Sequence, residues 1–319
     1  MAAHPTAQDV EDAARALAGH VVRTPLLPSP ALSAHAGHEV LIKAELFQRG
    51  GSFKLRGATN RVRAMTADER ARGVTTISAG NHAIAVALVC RAEGVAATIF
   101  MPRAASAMKV ETTRAQGATV DLESGDAAEA FARMDAFAAE SGAFVLHPFD
   151  DPAVIAGQGT VGAELIEDLP EVATVIVPVG GGGLISGIAL AVKARRPQAR
   201  VVGVEPRNSA ALTAGLAAGA PVRPATTAPT IADALTPPTA GVHTIAICAQ
   251  LVDAVVTLDE DELRAGLRYT YSEAKLACEA GGAAAVAALL AGKVDAAGPT
   301  VVVVSGGNIA PADLARLLT

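Results

Sequence analysis

Hydrophobic and polar residues follow two different periods along this chain. Short aliphatic runs have the length and residue types of buried strands, and longer segments carry apolar residues at the spacing of one helix face. Between residues 73 and 147 the two kinds of segment alternate with short connections, which predicts a parallel sheet covered by helices. The strands predicted there are 74–78, 97–101, 118–122 and 144–146, and the helices are 83–92, 106–116 and 127–139.

A second alternating region surrounds the first one in the chain. Its predicted strands are 40–47, 174–179, 200–205, 253–258 and 300–304, and its predicted helices include 154–169, 184–195, 210–218, 283–290 and 311–318. Two more helices are predicted, one capped by Thr6 and Asp9 that carries Val10 to Leu17 and one that Asp259 caps. Residues 207–242 have weak periodicity, so most of them are expected to be irregular. The patterns predict an α/β protein with two lobes, each a mainly parallel twisted sheet covered by helices. The predicted small domain is 50–147, and 1–49 with 148–319 form the large domain, with the crossing at His147-Pro148-Phe149-Asp150-Asp151-Pro152.

Composition narrows the class of protein. The chain has 319 residues, of which 51% are hydrophobic and 18% charged, and this profile excludes a disordered protein. A net charge of -6 without runs of like charge gives no surface for nucleic acid or a membrane. Residues 172–192 are uncharged over the length of a membrane span, but Pro178 and four glycines predict a strand, a loop and a helix instead. Cys90, Cys248 and Cys278 are far apart, which predicts reduced thiols in the cytoplasm.

The first candidate for chemistry is Lys54, in the segment Gln-Arg-Gly-Gly-Ser-Phe-Lys-Leu-Arg-Gly. It follows a Gly-Gly-Ser bend after a predicted strand and stands at the mouth of a helical run predicted at 58–65. The glycines allow a tight turn, and Ser52 is expected to cap the helix. Phe53 and Leu55 surround the lysine with apolar groups. A lysine in such surroundings loses its proton easily and becomes a nucleophilic amine.

Four consecutive glycines, Gly180 to Gly183, follow a predicted strand and precede a predicted helix. Their N–H groups and the helix N-terminus can converge on one anion. A dinucleotide-binding loop needs glycines at positions n, n+2 and n+5. No register fits, because the required third glycine would fall on Ile185 or Ser186. The spacing therefore favours a single phosphate, with a glycine-rich structural turn as the alternative.

Two further motifs follow predicted strands. Ser78-Ala79-Gly80-Asn81-His82 puts a hydroxyl, an amide and a glycine at a helix N-terminus, which suits a carboxylate, although an ordinary helix cap is the alternative. Ser305, in Ser-Gly-Gly-Asn, stands at the carboxyl end of strand 300–304. Ligands of open α/β sheets gather at that edge, and a serine that only caps the strand is the alternative.

Together the four motifs resemble, in order and spacing, the fold-type II pyridoxal-phosphate enzymes, whose fold is like that of the tryptophan synthase β subunit. The likeness is greatest to the branch of threonine/serine dehydratases and serine racemases, and it runs from Arg23 to the last helix. It implies that Lys54 forms a Schiff base with pyridoxal 5′-phosphate. By the same likeness Phe53 packs beside the ring, Gly180, Gly181, Gly182 and Gly183 hold the phosphate, Asn81 contacts the 3′-oxygen, Ser305 the ring nitrogen and Glu279 lies near the cofactor, while Ser78, Ala79, Gly80, Asn81 and His82 hold the substrate carboxylate.

The resemblance implies dehydration and deamination of L-threonine, L-serine or a related β-hydroxy amino acid to a 2-oxo acid and ammonia. A hydroxyl at position 305 does not keep the ring nitrogen protonated, which favours β-elimination. Ala79 stands where racemases of this branch carry an acid/base serine, and alanine has no proton to give. A serine racemase, or a catalytically idle cofactor-binding relative, is the alternative function.

The same branch suggests a homodimer or homotetramer. Its racemases bind a divalent cation in a loop that matches 205–211, but here Ala211 replaces the second carboxylate and leaves Glu205 alone, so no metal is expected. Residues 1–20 lack the features of a signal peptide, and the regulatory domain of some biosynthetic threonine dehydratases is not expected after the last helix. No motif indicates which β-hydroxy amino acid is preferred.

Overall fold

The computed structural model describes residues 3–319. The prediction that residues 1–20 are not a signal peptide includes Met1 and Ala2, and these two lie outside the described residues. The helices are α1 (Ala7–Leu17), α2 (Pro30–Ala36), α3 (Lys54–Arg63), α4 (Ala67–Arg72), α5 (Asn81–Glu93), α6 (Ala107–Ala115), α7 (Ala127–Ser141), α8 (Pro152–Asp168), α9 (Gly183–Arg195), α10 (Ala211–Ala218), α11 (Val242–Leu251), α12 (Glu260–Ser272), α13 (Ala284–Leu290) and α14 (Pro311–Leu318). The strands are β1 (Leu26–Pro28), β2 (Val40–Ala44), β3 (Val74–Ile77), β4 (Ala97–Pro102), β5 (Thr119–Ser124), β6 (Phe144–Val145), β7 (Thr174–Pro178), β8 (Arg200–Pro206), β9 (Ala254–Leu258) and β10 (Thr300–Val304).

Two sheets organise these elements. The larger sheet has the order β1-β2-β10-β7-β8-β9, in which β1 is antiparallel to β2 and the other neighbours are parallel. The smaller sheet has the order β5-β4-β3-β6 and is parallel throughout. The predicted α/β architecture with two lobes is therefore confirmed. The domain boundaries at residues 50 and 147 stay a prediction.

Strand β10 lies in the middle of the larger sheet and is covered on both faces. Val301 and Val303 pack into the core on one face, and Val302 and Val304 pack into the core on the other. Burial of each such side chain stabilises the fold by about 1.5–3 kcal/mol. Because β10 pairs in parallel with β2 and β7, the residues that follow these three strands reach the same edge of the sheet.

Helices α8 and α9 pack with their backbones in contact. A Cβ atom on Gly187 of α9 would overlap the backbone N of Gly159 and the carbonyl O of Ile155 on α8. Only glycine permits this approach, which fixes the start of α9 behind the end of β7. The uncharged segment 172–192 thus forms a strand, a loop and a helix, as predicted. No helix in residues 3–319 is long and apolar enough to cross a membrane.

The sequence prediction was wrong at several places. Helices α2, α4 and α11 were not predicted, and the strand predicted at 40–47 ends at Ala44. Glu45–Phe47 form a 3-10 helix instead, because Glu45 turns inward to accept hydrogen bonds from Arg56. Helix α11 was not predicted because it follows an irregular, Pro- and Thr-rich stretch. Its residues are mostly apolar, without the alternation of apolar and polar positions that marks a surface helix.

Candidate active site

Helix α3 begins at Lys54 itself, earlier than the predicted helical run. Phe53 is its N-cap, and no side chain caps the helix. The prediction that Ser52 is the cap is wrong: the Ser52 backbone forms an antiparallel bridge with Gly306. The buried Ser52 hydroxyl has no hydrogen-bond partner in the described part of the chain. The first turn of α3 is therefore joined through its backbone to the chain that follows β10.

The Lys54 amine is half-buried and has one polar partner among residues 3–319. Its Nζ donates a hydrogen bond to the carbonyl O of Pro148 at 2.6 Å and lies 5.3 Å from the centroid of the Phe53 ring. Burial lowers the pKa of Lys54 from 10.5 to about 8. A sizeable fraction of this amine is neutral near pH 8, and a neutral amine is the form that attacks a carbonyl group.

Arg56, two residues further on α3, has the opposite environment. Its guanidinium is fully buried and donates to both carboxylate oxygens of Glu45 and of Glu164, at 2.6–2.9 Å. Lys43, also fully buried, donates to Glu164 at 2.6 Å. Although burial acts to lower it, these carboxylates raise the pKa of Arg56. Two cations and two carboxylates thus balance, and they fasten the first turn of α3 to β2 and α8.

The glycine loop, defined here as Gly180 to Gly183, ends at the N-terminus of α9. Gly182 is the N-cap, with a φ of 93° that favours glycine, and no side chain caps the helix. Within residues 3–319, the backbone N–H groups of Gly180 to Leu184 have no hydrogen-bond acceptor. The loop carbonyl of Gly181 accepts a hydrogen bond from Thr244 Oγ1 at 2.8 Å. Free amides at the start of a long helix are the donors that a phosphate needs.

Three of the predicted motifs meet at Gly306. The position of a Cβ atom on Gly306 would lie 2.5 Å from Glu279 Oε1, 3.0 Å from Asn81 Nδ2 and 3.2 Å from Ser52 Cβ. The carbonyl of Ser305 accepts a hydrogen bond from Phe53 N at 3.2 Å. Ser305 itself is 5% exposed, and its hydroxyl belongs to the residue directly after β10, at the carboxyl end of that strand.

Asn81 and Glu279 form a buried polar pair. Asn81 Nδ2 donates to Glu279 Oε1, and Asn81 Oδ1 accepts from Asn308 Nδ2 at 2.8 Å. Burial raises the pKa of Glu279, and Lys109 and Asn81 counter this only in part. Glu279 Oε2 has no hydrogen-bond partner within residues 3–319. Glu279 is therefore a buried carboxylate beside Asn81.

Lys109 was not singled out in the sequence. It lies on the buried face of α6, next to Val110 and one turn before Thr113, and this helical spacing was the signal that could have found it. Its Nζ lies 3.2 Å from Asp233 Oδ2 and 3.7 Å from Glu279 Oε2. Burial acts to lower the pKa of Lys109, but the two carboxylates raise it above its ordinary value. The residue stays charged and connects α6 of the smaller lobe with the larger lobe.

The predicted carboxylate-binding loop leads into α5. Gly80 is the N-cap of α5, without a side-chain cap, so the alternative of an ordinary capping serine or asparagine fails. Ser78 Oγ accepts from Gly80 N at 3.2 Å, and Ala79 adds no polar group. His82 Nε2 donates to the Leu146 carbonyl at 3.2 Å, while its Nδ1 has no partner in the described residues. Burial, and then the nearby Lys54, hold the pKa of His82 well below its usual range.

Glu205 matches one carboxylate of the cation-binding loop in the racemases. In this structure its side chain caps the N-terminus of α10. Its carboxylate accepts hydrogen bonds from Leu212 N at 2.7 Å and from Thr213 N and Oγ1 at 2.9 and 2.7 Å. Burial nevertheless raises the pKa of Glu205. No group of three or more His, Cys, Asp or Glu side chains within residues 3–319 could hold a metal ion.

The geometry fits the predicted cofactor. An aldehyde that carries a phosphate and a ring nitrogen needs a neutral amine, free N–H donors and a hydrogen-bonding group. Lys54 has the lowered pKa, the glycine loop has the unused N–H groups, and Ser305 has a hydroxyl at the carboxyl end of β10. These groups all follow strands or turns at one edge of the larger sheet.

Comparison with known proteins agrees with this geometry. The family described as "Pyridoxal-phosphate dependent enzyme" matches residues 17–306. An L-threonine ammonia-lyase from Thermotoga maritima is 43% identical over 95% of this chain and 76% of its own length. The catabolic L-threonine dehydratase TdcB of Escherichia coli is 40% identical over 97% of this chain and 94% of its own. The structure of maize serine racemase superposes with a TM-score of 0.93 at 35% identity, covering 98% of this chain and 97% of the other.

Proposed function

Because the chain belongs to the family of pyridoxal-phosphate dependent enzymes, we propose that it is an ammonia-lyase acting on a β-hydroxy amino acid, L-threonine or L-serine. The relatives from Thermotoga maritima and Escherichia coli that carry threonine ammonia-lyase and dehydratase names support this proposal. The products are a 2-oxo acid and ammonia. One water is lost from the amino acid, and one is added when the released enamine hydrolyses.

The residues that would hold the cofactor lie at one edge of the larger sheet. The unused N–H groups of the glycine loop would bind the phosphate, the Ser305 hydroxyl would meet the ring nitrogen, and Lys54 would bind the aldehyde carbon. Asn81 and Glu279 would border the ring beside Gly306, and Phe53 would pack against it. When bound, pyridoxal 5′-phosphate supplies an electron sink that makes the α-hydrogen of an attached amino acid acidic.

The chain's own groups then position the substrate and move its proton. The uncapped N-terminus of α5, with the Ser78 hydroxyl beside it, binds the substrate carboxylate. The Lys54 amine takes the proton from the substrate Cα and holds it on Nζ. A base with a pKa of about 8 is suited to this transfer, because it is partly neutral at working pH yet basic enough to accept the proton.

The observation that carries the proposal is the lowered pKa of Lys54, held by one carbonyl at the meeting point of the motifs. The lowered pKa of Lys54 and the presence of Ala79 together favour elimination over racemisation, because Ala79 has no proton to donate from the opposite face of the substrate. Removal of the α-proton and loss of a β-hydroxyl need one base. Racemisation needs a donor on the opposite face.

The test is turnover of L-threonine, L-serine, 3-hydroxyaspartate and phenylserine by the protein loaded with pyridoxal phosphate. We expect release of 2-oxo acid and ammonia in equal amounts, and its loss in Lys54→Ala. Chiral chromatography of the remaining substrate is expected to find no D-enantiomer. Rapid formation of D-serine without 2-oxo acid would indicate a racemase, and cofactor binding without any turnover would indicate an idle relative.

We also propose that the enzyme is a cytoplasmic homodimer or homotetramer. The three cysteines support a reducing compartment, because all are buried free thiols whose pKa is raised to about 12 by burial. Light scattering coupled to gel filtration measures the assembly. A single species with the mass of one chain would contradict the oligomer.

A further inference from the structure

We propose that His147 is a positioning residue: its unprotonated imidazole shapes the turn of residues 147–151, called here the crossing turn, which holds both the Lys54 amine and the glycine loop. This inference deepens the proposed function and rests on it. His147 was not singled out in the sequence, where it is only the first residue of the crossing between the predicted domains. Its role follows from four sets of contacts made by the turn.

The turn is organised by one nitrogen atom. His147 Nδ1 accepts hydrogen bonds from the backbone N–H groups of Asp150 at 2.8 Å and Phe149 at 3.3 Å. Both bonds need the lone pair of Nδ1, so the proton of the neutral ring lies on Nε2. A protonated imidazole has no lone pair at either nitrogen, and it would release both N–H groups. The shape of the turn thus depends on the protonation state of His147.

The turn presents the group that holds the nucleophile. The carbonyl O of Pro148, the residue directly after His147, accepts the hydrogen bond from Lys54 Nζ at 2.6 Å. The hydrogen bonds to His147 bend the chain around Pro148 and so set the direction of this carbonyl. It is the single polar partner of the amine in the described residues. A change in the turn therefore moves the amine.

The turn also forms one wall of the glycine loop. A Cβ atom on Gly181 would overlap the ring of Phe149, and one on Gly183 would lie 2.8 Å from the Phe149 carbonyl O. Glycine is thus required at positions 181 and 183 because Phe149 leaves no room for a side chain there, as well as because an anion must approach the loop backbone. The position of Phe149 in turn determines where the N–H groups of the loop can stand.

Asp150 connects the turn to the loop by a second route. Its carboxylate accepts from the N–H groups of Val242, His243 and Thr244, at 2.8, 2.9 and 3.3 Å, at the start of α11. Thr244 Oγ1 then donates to the loop carbonyl of Gly181 at 2.8 Å. The crossing turn reaches the glycine loop directly through Phe149 and indirectly through α11.

The charges around His147 come from three elements. Lys54 faces it from α3 and His82 from α5, and Asp150 and Asp151 belong to the crossing turn itself. Burial is the largest cause that lowers the pKa of His147, and it outweighs the two aspartates. His147 is therefore neutral at pH 7, and protonation at lower pH would both release the turn and place a second cation beside Lys54.

Two substitutions separate the acceptor from the titrating group. His147→Asn keeps an acceptor oxygen at the place of Nδ1 but does not titrate, and His147→Leu removes the acceptor. The readout is the dissociation constant of pyridoxal phosphate from the apoprotein, followed by absorbance at several pH values between about 5.5 and 8. Thermal unfolding of each variant is measured alongside.

At pH 8 we expect His147→Leu to bind the cofactor about 10-fold more weakly than the wild type, because two hydrogen bonds are lost, and His147→Asn to recover most of this affinity. As the pH falls to about 5.5, the wild type is expected to weaken progressively relative to His147→Asn, by less than about 10-fold because the pKa of His147 lies below its ordinary value, while protonation of Lys54 affects both proteins alike.

Cofactor affinity of His147→Leu equal to that of the wild type, or a constant ratio between wild type and His147→Asn across the pH range, would overturn the proposal. If His147→Leu does not fold, the pH comparison of the other two proteins decides alone. None of these measurements uses an amino acid substrate. A protein that binds the cofactor as expected but does not turn over threonine would therefore contradict the proposed function and leave the role of His147 supported.

Discussion

Helix α3 carries two cations two residues apart whose surroundings are opposite. Arg56 is fully buried and bonded to two carboxylates, and its pKa is raised. Lys54 is half-buried, has a single carbonyl partner, and its pKa is lowered to about 8. The two sites are built from one turn of helix and differ in whether a carboxylate meets the charge.

The difference distinguishes a cation that stabilises the fold, Arg56, from a cation that is suited to react, Lys54. A buried cation that is matched by carboxylates stays charged and serves as a fixed anchor. A cation buried without a carboxylate destabilises the fold while it is charged, and the same imbalance makes it a base and a nucleophile near neutral pH. Arg56 holds the first turn of α3 in place, so that Lys54 can be kept in surroundings that do not favour its charge.

The largest expected effect comes from breaking the matched site. Arg56→Met leaves the fully buried Glu45 without its cation, whereas Glu164 keeps Lys43, and we expect it to lower the free energy of unfolding by about 3–5 kcal/mol. Urea unfolding followed by circular dichroism measures the change. The double variant Arg56→Met, Glu45→Gln is the control, since it removes the unmatched charge as well and leaves Lys43 paired with Glu164. A loss below about 1 kcal/mol in Arg56→Met would show that the network is not an anchor.

Removing the charge of Lys54, which no carboxylate within residues 3–319 neutralises, is expected to raise the free energy of unfolding rather than to lower it. The pKa of Lys54 is lowered from 10.5 to about 8, a difference of about 2.5, which corresponds to at most about 3 kcal/mol. This cost is complete below pH 8, declines as the pH rises and vanishes above 10.5. We therefore expect apoprotein carrying Lys54→Met to be more stable than the wild type at pH 7, by up to about 3 kcal/mol, with the gain lost near pH 10.5.

Urea unfolding of the apoproteins at both pH values measures this gain. Lys293→Met, at a lysine paired with Glu262 on the surface, is the matched control and is expected to change stability by less than about 1 kcal/mol. A Lys54→Met protein that is less stable than the wild type at pH 7 would contradict the account of Lys54 as a buried, unmatched charge.

Glu279 tests, with a carboxylate, the same distinction between buried charges that have a fully compensating partner and those that do not. Burial raises its pKa, so its contribution to stability is complete below the unfolded value near 4.5 and is lost as the pH rises through the folded value. Glu279→Gln does not titrate. We expect the stability of Glu279→Gln to rise relative to that of the wild type as the pH increases from 4.5 to 7.5, measured by urea unfolding. A difference that is constant over this range would place Glu279 with the matched charges.

The smallest effect is expected at the surface. Arg23 pairs with Glu167 at 2.9 Å and with Asp168 at 2.6 Å, but its side chain is 51% exposed. Arg23→Ala should cost less than about 1 kcal/mol, and 1 M salt should remove most of the difference because it screens exposed charges. A cost as large as that of Arg56→Met would mean that burial does not distinguish the pairs.

The sequence predicted what depends on local spacing. Lys54, the glycine loop and Ser305 could be proposed as site residues because each stands at a strand end or bend whose neighbours are adjacent in the chain. It did not predict the partners of these residues. Arg56 meets Glu164 across 108 positions, Asn81 meets Glu279 across 198, and no local period records such pairs. The capping role expected of Ser52 failed for the same reason, because its backbone bridges to Gly306, a contact that sequence spacing does not reveal.

The place of β10 has a consequence for synthesis. This strand fills the gap between β2 and β7 and brings Ser305 beside Phe53 and Gly306 beside Ser52, although it is translated after the other strands of residues 3–319. The larger sheet of a nascent polypeptide therefore stays incomplete until β10 has left the ribosome. Until then Ser305 and Gly306 are not beside the first turn of α3, and a product that terminates before β10 lacks them.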